Sequence, residues 1–391
     1  MVNFELELRT RIHFGAGVLD GLGKRTAEFG SRVLLVYGQD GLKRNGLRER
    51  VLSSLAAAGL SVVEHGGVVP NPELAHAEAG VALGKKEGVS VVLAVGGGSV
   101  IDEAKGIAIG CVHDEPLWDF YTRKVAVRSA LPIIAVQTLP ATSSEMNAAS
   151  VLTNAATKEK YSARSPHLYP RSAFLDPELT LTVPIGYTAF ACTDILAHMM
   201  EGYLSTTTDW SPVQDGLAEG LCRSVIQSME RLMVDPKDYN ARSALMWAGA
   251  LAWSGLVNAG LEGAQIPNHM LEHPLSAHFG ITHGAGLSIL IPAWMEYKKD
   301  SIGHRIVQFG DRILGLGSRL AGLPPAAQAD LVIAGLKAWY RKIGTPVSLA
   351  EAGIVNPDLG PLADQAMRLA GLWGVKGYTR EDAIRIYKLC G

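Results

Sequence analysis

A chain of 391 residues is longer than one hydrophobic core ordinarily sustains, so two domains are expected. Hydrophobic residues make up 48% and charged residues 19%, with no low-complexity tract or heptad repeat, which excludes the fibrous and disordered classes. Lys and Arg number 36 against 38 Asp and Glu, without long runs of either sign, which excludes a nucleic-acid footprint. In chain order, RVLLVYG (Arg32 to Gly38) predicts a buried strand and KRNGLRERVLSSLAAAG a helix. LSVVEHG then predicts a strand, ELAHAEAGVALGKKEG (Glu73 to Gly88) a helix, and VSVVLAVGGGS (Val89 to Ser99) a strand and loop. VIDEAKGIAIG returns to helix, and LPIIAVQTLPATS (Leu131 to Ser143) supplies a further strand with a polar loop. Strand, helix and strand at this spacing imply right-handed crossovers and a parallel sheet.

Pro177 and Pro184 break the chain, and beyond them the rhythm is almost wholly helical, as in AQADLVIAGLKAWYRKIG (Ala327 to Gly344). The boundary is therefore placed near Pro184, giving an α/β domain over 1–184 and an all-helical domain over 185–391. The stretch from Ser243 to Leu261 carries no charge and approaches the length of a membrane span, but its Ala, Gly, Ser254 and Asn258 fit a helix buried in protein better. No membrane partner is expected. The N-terminus lacks the apolar core of a signal peptide. Cys111, Cys192, Cys222 and Cys390 are widely separated, which suits a reducing compartment and argues against a thiolate metal site. The expectation is a cytoplasmic protein.

Gly96, Gly97, Gly98 and Ser99 lie between a predicted strand and helix. Without Cβ atoms the backbone can approach a ligand closely, and N–H groups at a helix start favour an anion. The pattern is neither GxGxxG nor GxxxxGK[ST], so a tight strand-to-helix turn explains it equally well. Asp102 and Lys105, one turn on, add polar groups suited to ribose or substrate hydroxyls. YGQDG (Tyr37 to Gly41) and QTLPATSSEMN (Gln137 to Asn147) also follow predicted strands, and ligands of open parallel sheets bind at the carboxyl ends of strands.

HMLEHPLSAHFGITHG holds His269, His273, His278 and His283, four of eleven histidines. His269 and His273 share a helical face by spacing, although Pro274 predicts that the helix ends at His273. Upstream, FACTDILAHMMEGY places Asp194 and His198 four apart on a second helix. Each residue alone also fits a satisfied core histidine or an exposed carboxylate. Jointly, one carboxylate and three imidazoles suit Fe(II), Zn(II) or a similar divalent ion with a position open to substrate.

GGGSVIDEAK, PNPE (Pro70 to Glu73), LPATSSEMN, DPELT (Asp176 to Thr180), DILAHMMEGY and HMLEHPLSAHFGITHG together resemble the iron-containing alcohol dehydrogenases, in the branch of butanol dehydrogenases and broad aldehyde reductases. The matches run in the family's order over roughly the first three quarters of the chain. The resemblance implies a Rossmann-like N-terminal domain, an all-α C-terminal domain, and a cleft between them for NAD or NADP and one metal ion. It implies Asp194, His198, His269 and His283 as metal ligands, with Fe(II) before Zn(II) as the ion. His273 matches a residue assigned to proton relay, whereas His278 matches no metal position.

On the same match Gly97, Gly98, Ser99 and Asp102 surround the pyrophosphate and nicotinamide, with Thr138, Thr142 and Lys160 also contacting the cofactor; Asp102 is taken with His273 as catalytic. Gly38, Gln39 and Asp40 stand where some relatives read a glycine run, and Asp40 near the ribose favours NAD by repelling a 2′-phosphate, with Lys43 and Arg44 near enough to compensate. Ser143 departs from a glycine common in relatives.

The expected reaction is reversible hydride transfer between NAD(P)(H) and a primary alcohol or aldehyde, with a homodimer as the family's assembly. Trp118, Phe120, Tyr121 and Trp253 are candidate pocket walls. Rival readings on the same architecture are a dehydroquinate synthase-like or glycerol dehydrogenase-like enzyme, and a metal-dependent hydrolase with a phosphate on the glycine loop.

Overall fold

The computed structural model describes residues 1–39, 42 and 46–391. They divide into two compact units, Glu7–Thr182 and a second formed by Val183–Gly391 with Met1–Leu6. Those first six residues, which chain order would put with the α/β half, cluster with the helices. Val2 N–H donates to the Gly260 carbonyl at 3.0 Å.

The α/β unit is built on β1 (Arg11–Phe14), β2 (Arg32–Gly38), β3 (Ser61–Val68), β4 (Val91–Gly96), β5 (Ile133–Gln137) and, after the hairpin β6 (Ala149–Asn154) and β7 (Glu159–Arg164), β8 (Ser172–Leu175). Six of these form one sheet in the order β1-β8-β5-β4-β2-β3, every pair parallel. Parallel strands covered on both faces have no polar side, so β2, β4 and β5 read as continuous Val, Ile and Leu runs. Val33, Leu34, Leu35 and Val36 are all fully buried, as are Val91 to Ala94. Burying each of these Val and Leu side chains contributes about 1.5–3 kcal/mol before entropy is deducted.

The connecting helices are α1 (Leu22–Ala27), α2 (Leu47–Ala57), α3 (Leu74–Glu87), α4 (Gly98–Gly110) and α5 (Leu117–Tyr121). From β2 the chain moves outward to β3, then crosses back to β4 on the other side of β2. That reversal is the switch point of a doubly wound sheet, so the loops after β2 and β4 open on the same crevice. Phe120 and Tyr121 are buried, Tyr121 O–H lying 2.6 Å from Ser150 Oγ, while Trp118 stacks on Tyr121 and Tyr161. These three aromatics belong to the packing of this unit.

The second unit comprises α6 (Ile185–Ser205), α7 (Pro212–Val234), α8 (Tyr239–Ala252), α9 (Pro267–Phe279), α10 (His283–Arg312), α11 (Gly317–Leu320), α12 (Pro325–Lys342), α13 (Leu359–Trp373) and α14 (Arg380–Leu389). α10 packs against α6, α9, α12 and α14. The uncharged stretch from Ser243 falls in α8, which stops at Ala252 and gives way to turns. Among the described residues no helix is long and apolar enough to cross a membrane. Arg242, at its start, is buried and donates to the Val183 and Pro236 carbonyls and to Thr188 Oγ1.

Pro274 does not end α9 at His273. The helix runs to Phe279 and stops on Gly280 at φ 65°, a left-handed C-cap. Proline inside a helix removes a backbone bond and crowds the preceding turn, a cost of about 3 kcal/mol in an isolated helix. Here the turn is held from outside, since Tyr387 O–H donates to the Leu271 carbonyl at 2.7 Å, and residues 267–276 are buried. Tertiary packing overrides the local preference.

Candidate metal centre and cofactor loops

In the helical unit, α6 carries Asp194 and His198 on one face, α9 carries His269, and His283 opens α10. The structure brings all four together. Asp194 Oδ1 lies 3.4 Å from His269 Nε2 and 3.6 Å from His283 Nε2, and the His198 ring centroid is 4.4 Å from that of His269. Asp194, His198 and His269 are buried, and His283 keeps 20% of its side chain exposed. The enclosure therefore opens on the His283 side.

The second nitrogen of each imidazole is occupied. His198 Nδ1–H donates to the Asp194 carbonyl at 2.9 Å. His269 Nδ1 pairs with Glu201, and His283 Nδ1 with Glu272. Carboxylates bound this way fix ring orientation and tautomer, leaving Nε2 bare toward the centre. Asp194 Oδ1 and His269 Nε2 are buried with no hydrogen-bond partner. Two such atoms facing each other would be costly in a finished core and are what a cation site requires. The donor set fits a divalent ion.

Electrostatics agree. Burial alone would raise the Asp194 carboxyl, but His198, His283 and His269 together hold it well below the usual carboxylate range. Burial pushes His198 down to about 3. His269 is also opposed by burial, yet Glu201 and Asp194 outweigh it and push it up to about 10. The site thus favours positive charge between two carboxylates.

Sequence inspection missed Glu201 and Glu272. Their signal was present: Glu201 lies seven residues after Asp194 on α6 and Glu272 three after His269 on α9, and metal-bound histidines ordinarily need a carboxylate or carbonyl behind them. Glu272 also lies within ligating range of His273 and His283. Its carboxylate accepts from the Ser276 hydroxyl and meets His283 Nδ1, so it stands behind the ring and is not in the ligand set.

His273 is buried one turn beyond His269, its ring centroid 5.6 Å from that of His283 and edge-on to Trp373 at 4.8 Å. Trp253 lies beside His198 at 5.3 Å. His278 is half-buried near Phe279, outside the cluster.

In the α/β unit the glycine loop opens α4, whose N-terminus has no side-chain cap. That leaves its first-turn N–H groups without the usual side-chain acceptor, and they favour an anion. A Cβ on Gly98 would lie 2.3 Å from Thr142 Oγ1, so this glycine also permits the two loops to pack. Thr142 Oγ1 in turn accepts from Ser144 N–H at 3.2 Å. Thr138 N–H donates to the Gly96 carbonyl at 3.1 Å, joining the loops after β4 and β5. Ser99 lies in the first turn of α4, and Gly38 ends β2 with Val100 close by. Gln39 is exposed. Asp40, Gly41, Lys43 and Arg44 lie outside the described residues.

Asp102 is buried and both its oxygens meet protein donors, the Ser144 hydroxyl and Val151 N–H. Burial pushes its carboxyl up to about 6 against the pull of Lys105. Lys105, itself pushed down to about 8 by burial, donates to the Asn147 and Ala149 carbonyls. In this state Asp102 pins the loop after β5. Lys160 on β7 donates to Asn71 Oδ1 at 2.9 Å, tying the hairpin to the PNPE turn. Ser143 adopts φ 50°, the left-handed region glycine prefers.

The protein-family model for iron-containing alcohol dehydrogenases matches residues 9–177, and the model for the family's C-terminal part matches 188–390. An NADH-dependent butanol dehydrogenase A of Clostridium acetobutylicum is 36% identical over 391 residues, 99% of each chain. The NADPH-dependent aldehyde reductase YqhD of Escherichia coli is 34% identical over 359 residues, 90% of each. The crystal structure of an NADH-dependent butanol dehydrogenase A from Thermotoga maritima superposes with a TM-score of 0.94 at 36% identity, covering 100% of this chain and 99% of that one. With both halves matched and the ligand-type residues gathered, the chain belongs to the iron-containing alcohol dehydrogenase family, in its butanol dehydrogenase and aldehyde reductase branch.

Proposed function

We propose that the protein is a metal-dependent oxidoreductase that passes a hydride reversibly between NAD(H) and a primary alcohol or aldehyde. The observation that carries this is the convergence of Asp194, His198, His269 and His283, with Asp194 Oδ1 and His269 Nε2 buried and unbonded. Those four residues hold one divalent ion, Fe(II) before Zn(II). When bound, the ion supplies Lewis acidity toward the substrate oxygen and the nicotinamide supplies or accepts the hydride.

The chain's own residues do the rest. Glu201 and Glu272 keep the His269 and His283 rings turned inward. The partly exposed side at His283 admits substrate, and the burial of the other three residues keeps water from behind them. His273, next to this cluster, exchanges the alcohol proton at a ring nitrogen. The uncapped start of α4, with Gly97, Gly98 and Ser99, takes the cofactor pyrophosphate. Gly38, Gln39, Thr138, Thr142 and Lys160 line the rest of the cofactor's path, and Asp40 selects NAD over NADP. Asp102 holds the Thr142 loop against α4 and faces the nicotinamide side. A cytoplasmic homodimer belongs to the same reading and rests on the family.

Protein purified without chelator is to be assayed for metal content and for NADH and NADPH consumption across a panel of aldehydes. Bound divalent metal that is lost in His269→Ala and NADH-linked reduction are expected. No rate with either cofactor on any aldehyde would refute the proposal.

A further inference from the structure

A second cluster of ligand-type side chains lies wholly within the α/β unit. His65 is on β3, His76 on α3 and Glu103 on α4. Their candidate donor atoms all fall within 4.8 Å of one another. Glu103 is fully buried and its Oε1 lies 2.6 Å from His76 Nδ1 and 3.3 Å from His65 Nε2. The two imidazole rings face each other at a centroid distance of 4.3 Å.

Two features separate this group from an ordinary buried ion pair. Glu103 Oε2 is buried with no hydrogen-bond partner, and His65 Nε2 is likewise buried without one, its approach to Glu103 Oε1 lacking hydrogen-bond geometry. An orphaned carboxylate oxygen inside a core is costly, so a structure that keeps one calls for an explanation. At the same time His76 leaves 31% of its side chain exposed, which gives an ion and its water a route in. Two imidazoles and a carboxylate, three protein donors with one side open, is a donor set for zinc or a neighbouring divalent transition metal.

We propose that His65, His76 and Glu103 form a second transition-metal site, separate from the one on α6, α9 and α10. Glu103 directly follows Asp102 on α4, and one turn before them that helix begins in the glycine loop. An ion held here ties α3 and β3 to α4 and thereby fixes the helix that presents the loop. Its role is to hold the α/β unit together, and it takes no part in hydride transfer. Binding replaces the His76 to Glu103 hydrogen bond: the neutral imidazole offers Nδ1 to the ion and keeps its proton on Nε2, and the Glu103 carboxylate offsets one of the ion's two charges.

The test uses the full-length protein, stripped with chelator, reloaded with zinc alone, desalted and assayed by elemental analysis. Wild type is expected to hold two equivalents, His269→Ala one, His76→Ala one, and the pair of substitutions none. Glu103→Gln is expected to match His76→Ala. Because Glu103 is fully buried, its variant also tests folding, so His76→Ala at a half-buried position decides if Glu103→Gln does not fold. In the His269→Ala background zinc is expected to raise the thermal unfolding midpoint, and His76→Ala to abolish that rise. Zinc content that is the same in wild type and His76→Ala, or the same in His269→Ala and the doubly substituted protein, overturns the site. Aldehyde reduction with NADH is measured separately, so failure of this proposal is distinct from failure of the catalytic one.

Discussion

Glu201 and Glu272 bear on the proposed metal centre as much as the four residues in front of them, because each holds an imidazole that would otherwise be free to turn. Replacing Glu201 with Gln keeps the shape and removes the charge. Metal affinity is expected to fall about 10- to 100-fold, read by competition with a chelator, while the fold stays intact. His269→Ala should lose the ion and with it the activity; full metal content and full rate in that variant would reject the ligand assignment. His273→Ala separates the roles, with metal retained and kcat reduced about 10²- to 10⁴-fold. Loss of metal there would make His273 a ligand. Asp102 offers a pH-dependent test. Its carboxyl is raised from 3.8 to about 6, chiefly by burial, so folding favours the protonated form. Its contribution to stability is therefore fully present below about pH 4 and lost as pH rises through about 6. The stability difference between wild type and Asp102→Asn should change within that window and nowhere nearby, and a flat difference by chemical denaturation would contradict the assignment.

At the scale of elements, the centre depends on how closely α10 approaches α6. A Cβ on Gly284 would lie 2.0 Å from the Phe190 carbonyl oxygen, a backbone atom that cannot rotate away. Gly284→Ala is expected to destabilise the helical unit by about 1–3 kcal/mol or more, by thermal or urea unfolding. It should also weaken metal binding, since His283 is the adjacent residue and would move from Asp194. An unchanged midpoint would mean the helices are less tightly apposed. α9 carries the complementary lesson. Pro274 predicted a helix end at His273, yet helix continues to Phe279, with residues 267–276 buried and the Tyr387 hydroxyl bonded to the Leu271 carbonyl in the same turn. A local rule fails where packing from distant chain holds the turn in place.

For the whole molecule, a bound ion stabilises the folded state in proportion to the logarithm of its concentration over its dissociation constant. Saturation a hundredfold above that constant contributes about 2.7 kcal/mol. Chelator treatment is thus expected to lower the unfolding midpoint, and readdition of Fe(II) or Zn(II) to restore it. The three carboxylates Asp194, Glu201 and Glu272 packed around three imidazoles leave a buried negative excess that a bound ion would relieve. No change on chelation would mean that no ion was bound at these residues.

Much of this was legible in the residues themselves. The β-branched runs of Arg32–Gly38 and Val91–Gly96 and the helical rhythm between them dictated parallel strands, because a strand buried on both faces has no polar face to show. The spacing of Asp194 and His198 put both on one helical face from sequence alone. Nothing local could pair β1 with β8, since those strands lie some 160 residues apart, or reveal the β6–β7 hairpin that carries Lys160. Nor could spacing show that Asp194 and His283 meet, or that Glu201 on α6 reaches His269 on α9. Period and residue type are properties of a short segment and are written in it. Which orphaned oxygen faces which nitrogen depends on how separate helices pack, and only the tertiary structure decides that.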